Sequence, residues 1–204
     1  METIQKVRST WHSTSEAVAL HPDRFIPARD KEHRAKKAFF TELCAALPDA
    51  YVSISRPGNR ISFGRKEIDL TIDREEVRVA IEVKFKVKSD CAYRDNRTAS
   101  FDDIAKLQEY TRDRAYTHGV FLWLTDCPEY YHDDVSAKSD CSTHDGRLYE
   151  ASTLLREARA RDGRPREWSF PWQFSFTWNQ CVANPTWRWV MIQTSEGADG
   201  ISSH

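Results

Sequence analysis

Asp69, Glu82 and Lys84 are the residues whose types and spacing could do chemistry, and all three lie in K-E-I-D-L-T-I-D-R-E-E-V-R-V-A-I-E-V-K-F-K-V-K, residues 66–88. Twelve residues separate the acids, and one separates Glu82 from Lys84. Ile68, Leu70 and Ile72 alternate with polar residues, as do Val77, Val79, Ile81, Val83, Phe85 and Val87, so the stretch reads as two strands joined by a tight turn at 73–76. Side chains alternate faces along a strand, which puts Glu82 and Lys84 together, opposite Ile81, Val83 and Phe85. Antiparallel pairing through the turn brings Asp69 alongside Glu82. Two such carboxylates suit a hard divalent cation, Mg²⁺ or Mn²⁺, with waters and a phosphate oxygen completing the octahedron. The nearby ammonium suits charge developing on phosphoryl oxygens, or the orientation of an attacking water. The chemistry that fits is metal-assisted phosphodiester hydrolysis. The plainer alternative is a solvated strand with Lys84, Lys86 and Lys88 protecting an edge. Against it, the continuous β-branched and aromatic face marks the second strand as central.

The elements that must position these groups are legible around them. Residues 30–47 read as an amphipathic helix with Asp30 as N-cap, a stripe of Ala35, Phe39, Leu43, Ala46 and Leu47, and Pro48 ending it. Glu32 falls on that stripe and Glu42 to one side. A short strand over 51–55 leads into R-P-G-N-R, a turn, and residue 61 begins the next extended segment. Arg56, Arg60, Arg65 and Lys66 cluster near the acids and, with Lys86, suit phosphate contacts that position a nucleic acid without reading its sequence. Glu67 shares a face with Asp69. After residue 88 a polar loop carrying Arg94 and Arg97 is long enough to line a cleft. A helix is expected from Ser100 or Asp102, with Asp102 and Lys106 spaced for an ion pair and Gln108 a polar misfit beside Phe101, Ile104 and Ala105. V-F-L-W-L at 120–124 reads as a buried strand.

Residues 1–29 read as an N-terminal arm with one short helix near 14–20, pinned to the body by Trp11. Cys127, His132, Cys141 and His144 invite a zinc site, but their spacings are unlike those of zinc knuckles. A helix is expected over 152–161. The tryptophan-rich segments F-S-F-T-W and T-W-R-W-V-M-I, with Asn184-Pro185 between them, read as a hairpin extending the sheet, its rings filling a core more readily than stacking on bases.

Of 204 residues, 40% are hydrophobic and 30% charged, a globular composition long enough for one well-packed domain. A net charge of -1 excludes a bulk basic surface, so any nucleic-acid contact must use local clusters of Lys and Arg. Five cysteines, an odd number without paired spacing and with no apolar signal segment, point to a reducing, cytoplasmic setting. No run approaches membrane-spanning length, and no membrane partner is expected.

Asp69, twelve residues, then Glu82-Val83-Lys84 resembles the D…ExK core of the PD-(D/E)XK nuclease superfamily, which includes restriction endonuclease-like enzymes and DNA repair nucleases. The resemblance covers about residues 30–125, and Ile68 stands where the motif is named for a proline. It implies an α/β fold with a restriction endonuclease-like core, in which a helix, a three-stranded meander carrying the acids, a further helix and a strand build a central mixed β-sheet flanked by helices. The Trp-rich C-terminal β-hairpin is then an extension. Residues 1–29 become the arm, 30–195 the nuclease-like domain (core 30–125, extension 126–195) and 196–204 a flexible tail. The resemblance implies an endodeoxyribonuclease in which Asp69 and Glu82 bind Mg²⁺ and Lys84 assists the attacking water or the transition state. A helix before the meander often supplies an additional acid in that superfamily, for which Glu32 is the candidate and Glu42 the reserve. A polar residue on the following helix points to Gln108 or Lys106. DNA is the expected partner, and cutting both strands with one active site per chain favours a homodimer or larger complex. Two other readings compete. One is a nuclease fold retained as a nucleic-acid-binding or regulatory subunit without cleavage, and the other is an interaction protein with no nucleic-acid partner. The intact set of two acids and a lysine favours the enzyme.

Overall fold

The computed structural model describes residues 1–25, 31–55, 60–63, 66–90, 93–132, 141–157 and 165–194. Along the chain run α1 (Glu2–Leu20), α2 (Lys31–Ala46), β1 (Tyr51–Ile54), β2 (Ile61–Phe63), β3 (Lys66–Ile68), β4 (Leu70–Arg74), β5 (Val77–Lys86), α3 (Tyr93–Arg112) and β6 (His118–Thr125). There follow β7 (Arg147–Tyr149), β8 (Leu154–Glu157), β9 (Arg166–Ser169), β10 (Phe174–Phe176), β11 (Asn179–Gln180) and β12 (Arg188–Thr194). The central sheet has the order β1-β4-β5-β6-β12-β11; β5 and β6 are parallel and the other neighbours antiparallel. It is therefore a mixed sheet, and helices flank it.

Alternation along β5 and β6 divides the core into two layers. Val79, Ile81, Val83 and Phe85, with Val120, Leu122 and Leu124, pack with Trp11 and Val18 of α1 and Ala35, Phe39 and Leu43 of α2. Ala80, Phe121 and Trp123 pack in the other layer with Phe101, Ile104 and Leu107 of α3 and with aromatic residues of the C-terminal third. Gly119 is what lets α3 approach β6 closely: a Cβ there would meet Thr194 Oγ1 and come within 2.9 Å of Leu107 Cβ.

The expected short helix near residues 14–20 is only the C-terminal part of a 19-residue α1. Its buried positions, Thr3, Val7, Thr10, Trp11, Thr14, Ser15, Val18 and Ala19, keep helical spacing, but four of the eight carry hydroxyls, so no continuous apolar stripe announces them. Trp11 does pin the element, fully buried and edge-on to Phe39 with ring centroids 5.2 Å apart. The Glu16 carboxylate accepts the backbone N–H groups of Val182 (2.9 Å) and Ala183 (2.8 Å), tying α1 to the segment between β11 and β12.

Three expected elements differ in the structure. The polar loop expected between residue 88 and Ser100 is largely helical, because α3 begins at Tyr93. The helix expected over 152–161 is replaced, over the described residues, by β8, which pairs with β9 and buries Leu155 and Glu157 alternately with exposed Leu154 and Arg156. Tertiary pairing has overridden the helix-forming composition of that stretch. The expected C-terminal hairpin is split: β12 does extend the sheet beside β6 and pairs with β11, but F-S-F, as β10, pairs with β7. Trp168, Trp178, Trp187 and Trp189 are buried, so these rings fill the core and present no stacking surface. Asp30, proposed as the N-cap of α2, lies outside the described residues, as does the 196–204 tail. Among the described residues no helix is long and apolar enough to cross a membrane.

If α1 is integral to the fold, Trp11→Ala lowers the unfolding free energy by about 3–5 kcal/mol, read from the midpoint of a urea or guanidinium titration. A loss within about 0.5 kcal/mol, the scale of an inconsequential surface change, would mean that α1 is a detachable arm.

Candidate functional site

The site arises where the chain leaves the sheet. In the β4–β5 ladder the last register pair is Leu70–Ile81, and the residue before it, Asp69, is a bend instead of a strand residue. On the other side of that bend β3 pairs with β2 in a separate two-stranded sheet. Asp69 thus does not lie within one continuous strand, as the alternation had suggested. Its carboxylate Oδ2 instead accepts the Val83 backbone N–H at 2.9 Å, and its own carbonyl accepts the Ser55 N–H at 2.8 Å. These bonds satisfy backbone donors that the departing strand leaves behind. The second half of β5, residues 82–86, remains paired with β6 on one side. Among the described residues no strand pairs with it on the other. Glu82 and Lys84 project from this notch toward α3.

Two charge chains meet there. Lys36 of α2 places its Nζ 2.7 Å from Asp69 Oδ1 and 3.1 Å from Glu32 Oε1, and Glu32 Oε2 receives Lys86 Nζ at 2.9 Å. From α3, Lys106 Nζ lies 2.7 Å from Glu82 Oε1 and 3.5 Å from Asp103 Oδ1, while Asp103 Oδ2 receives Lys84 Nζ at 2.8 Å. Lys106 also donates to the Glu67 carbonyl at 2.9 Å. Four carboxylates, Glu32, Asp69, Glu82 and Asp103, are matched by four ammonium groups, so the formal charges cancel. Burial decides how strongly they interact: Glu82 is 7% exposed, Lys84 10%, Lys106 15% and Asp69 20%.

Burial, then the negative charges of Asp69 and Asp103, push the Glu82 carboxyl up to about 8 despite the neighbouring Lys106. Burial alone would raise Glu32, but the ammonium groups of Lys36 and Lys86 outweigh it and hold that carboxyl below its ordinary value. For Lys36 and Lys106 burial acts downward, and the charges of Asp69 and Glu32 on one, and of Glu82 and Asp103 on the other, outweigh it and raise both. A desolvated carboxylate facing two further acids is an environment that a cation relieves. Asp69 and Glu82 therefore fit Mg²⁺, which takes one or two carboxylates and keeps several waters. A larger ligand set is not formed: among the described residues no group of three or more His, Cys, Asp or Glu side chains is arranged to hold a metal ion.

The remaining sequence-predicted residues fall in different places. Glu32 reaches the site with its oxygens on two lysines, and Glu42 is turned away, accepting the Thr14 hydroxyl of α1 at 3.1 Å. Gln108 is 1% exposed and bonds the backbone of Trp172 through both ends of its amide, so it fastens the C-terminal third to α3 and does not join the acids. Arg97 is buried against Glu157 at 3.1 Å and cannot line a substrate cleft. The Asp102–Lys106 pair does not form, since Asp102 accepts the Trp168 indole N–H and Lys106 reaches Asp103 and Glu82. Exposed Arg60 and Lys66 pair with Glu67 and Glu109, and Lys86 is half-buried on Glu32. Arg56, Arg65 and the side chain of Arg94 lie outside the described residues. Cys127 is disulfide-bonded, in place of the reduced thiol expected, and so has no thiolate to offer zinc. The structure adds Lys36 and Asp103, whose only sequence signal was helical spacing from Glu32 and Lys106.

No family model, curated protein or solved structure matches the chain.

Glu82 should imprint itself on stability. The unfolded chain releases its proton near the ordinary value of 4.5 while the folded protein holds it to about 8. The stability this group contributes is therefore full below the unfolded value and is lost as pH rises through the folded one. Glu82→Gln should flatten that fall by roughly 2–4 kcal/mol, measured by denaturant titration across the interval. An unchanged pH slope would mean that Glu82 is ionised throughout.

Proposed function

We propose that the chain is a divalent-metal-dependent nuclease, an endodeoxyribonuclease with a restriction endonuclease-like core. One observation carries this reading: Asp69, at the bend that ends the β4–β5 ladder, bonds the Val83 backbone next to Glu82, and Lys84 follows Glu82 two residues on, on the same face, beside a stretch of β5 that no described strand pairs on one side. A Mg²⁺ held by Asp69 and Glu82 would supply Lewis acidity and a water of lowered pKa.

The protein's own groups supply positioning and charge. Asp103 fixes the Lys84 ammonium at 2.8 Å, so a strand-borne cation with little freedom faces the notch. Its role is to stabilise charge that develops on the phosphoryl oxygens, or to orient the water that attacks the phosphorus. That water's oxygen forms the new P–O bond, the bridging P–O bond breaks, and a proton passes to the leaving alkoxide. Glu32 is a positioning residue that acts through Lys36 and Lys86. Arg60, Lys66 and Lys86 are the described cations that would hold flanking phosphates.

Cleavage of plasmid, linear duplex, branched and single-stranded DNA and of RNA, with and without Mg²⁺ or Mn²⁺, tests the proposal. Metal-dependent cutting of DNA is expected, reduced about 100-fold or more in Lys84→Met with metal affinity unchanged, and abolished with weakened metal binding in Glu82→Ala. Undiminished cutting by Glu82→Ala would overturn the assignment. Metal and DNA binding without any cutting by the parent would favour the regulatory-subunit reading.

A further inference from the structure

We propose that Lys36 and Lys106 are exchangeable counterions: their ammonium groups hold the carboxylates of Asp69 and Glu82 until a divalent cation displaces them, and each then contacts a phosphate oxygen of the substrate. The inference rests on the nuclease reading and deepens it.

The lysines come from opposite sides of the sheet, α2 and α3, and each lies 2.7 Å from one of the two acids. Together they carry the charge that a divalent cation would bring. Without them Asp69 and Glu82 would lose the ammonium groups 2.7 Å away at exposures of 20% and 7%, where solvent screens poorly. With a divalent cation bound and the lysines still in place, the same acids would be over-neutralised by two charges. That excess matches the anionic oxygens of a phosphodiester, which supplies both the reason for the lysines to turn and the group they turn to.

Each ammonium also has a second hold. Lys36 keeps Glu32 at 3.1 Å, one helical turn before it, and Lys106 keeps Asp103 at 3.5 Å and the Glu67 carbonyl at 2.9 Å. Leaving the first carboxylate therefore does not strand either charge without a partner. A lysine's four-carbon stem and rotatable donors permit the swing. Lys84 differs: its ammonium pairs with Asp103, which is not one of the proposed ligands, so cation binding leaves it in position. The arrangement predicts an order, cation first and nucleic acid second.

Calorimetric titration of Mn²⁺ into the full chain, at a pH well above neutral, tests the exchange. It compares the parent with Lys36→Met, Lys106→Met and Lys37→Met, the last removing the same charge from an exposed position on α2. Removing a competing ammonium should tighten the cation about tenfold in the first two variants and leave Lys37→Met within about twofold of the parent. Binding of a duplex with non-hydrolysable linkages, followed by anisotropy with Mn²⁺ present, should weaken about tenfold in the same two variants. Thermal melts establish that each variant is folded, and Lys36→Met, at the more exposed pair, carries the test if Lys106→Met does not fold. If the parent binds Mn²⁺ and folded Lys36→Met binds it no more tightly, the exchange is overturned while the nuclease reading stands. If the parent binds no divalent cation, both fail.

Discussion

Glu82 occupies the middle strand of a sheet covered on both faces, and its ion pair with Lys106 at 2.7 Å governs what surrounds it. A carboxylate taken from water costs several kcal/mol unless it is answered by charge and hydrogen bonds. The α3 helix must therefore present a lysine at that point, and its acid one turn earlier, Asp103, must in turn be answered by Lys84. The same logic runs the other way from Asp69, through Lys36 and Glu32 to Lys86. An arrangement of this kind is a poor way to gain stability, because apolar side chains of similar volume would often serve as well or better.

The geometry of that pair depends in turn on the way the chain leaves the sheet. Had β3 and β4 formed one strand, the ladder would have run on past Glu82 and closed the edge of β5. The bend at Asp69 breaks the ladder there, and the Asp69 carboxylate caps the exposed Val83 N–H. One residue thus ends a strand, satisfies its neighbour's backbone and presents an acid to solvent on one side.

The central strands and α2 were legible in the sequence because each follows a strict period against an apolar partner face, whereas Asp69 was expected on a strand opposite Glu82 and instead sits at a bend bonded to the Val83 backbone. The parts that were not legible follow other rules. In α1 half of the buried residues are threonine and serine, which pattern reading takes for surface. In β8, Leu155 and Glu157 alternate too briefly to outweigh helix-forming neighbours. At the site, local spacing suggested Asp102 for Lys106, but Trp168 takes Asp102 and the buried Glu82 takes the lysine. Gln108 was recognisable as a polar residue that must find partners, yet those partners lie 64 positions away. Long-range competition for a donor is invisible to any local period.

Glu16 of α1 caps two backbone amides just before β12, the strand that lies beside β6. α1 is therefore tied to a segment that follows it by more than 160 positions. Until that segment emerges, β6 has an open edge and α1 is held by its packing on α2, although both acids and their lysines have already been synthesised. A chain stalled before β12 therefore carries both acids and their lysines without the strand that covers the edge of β6.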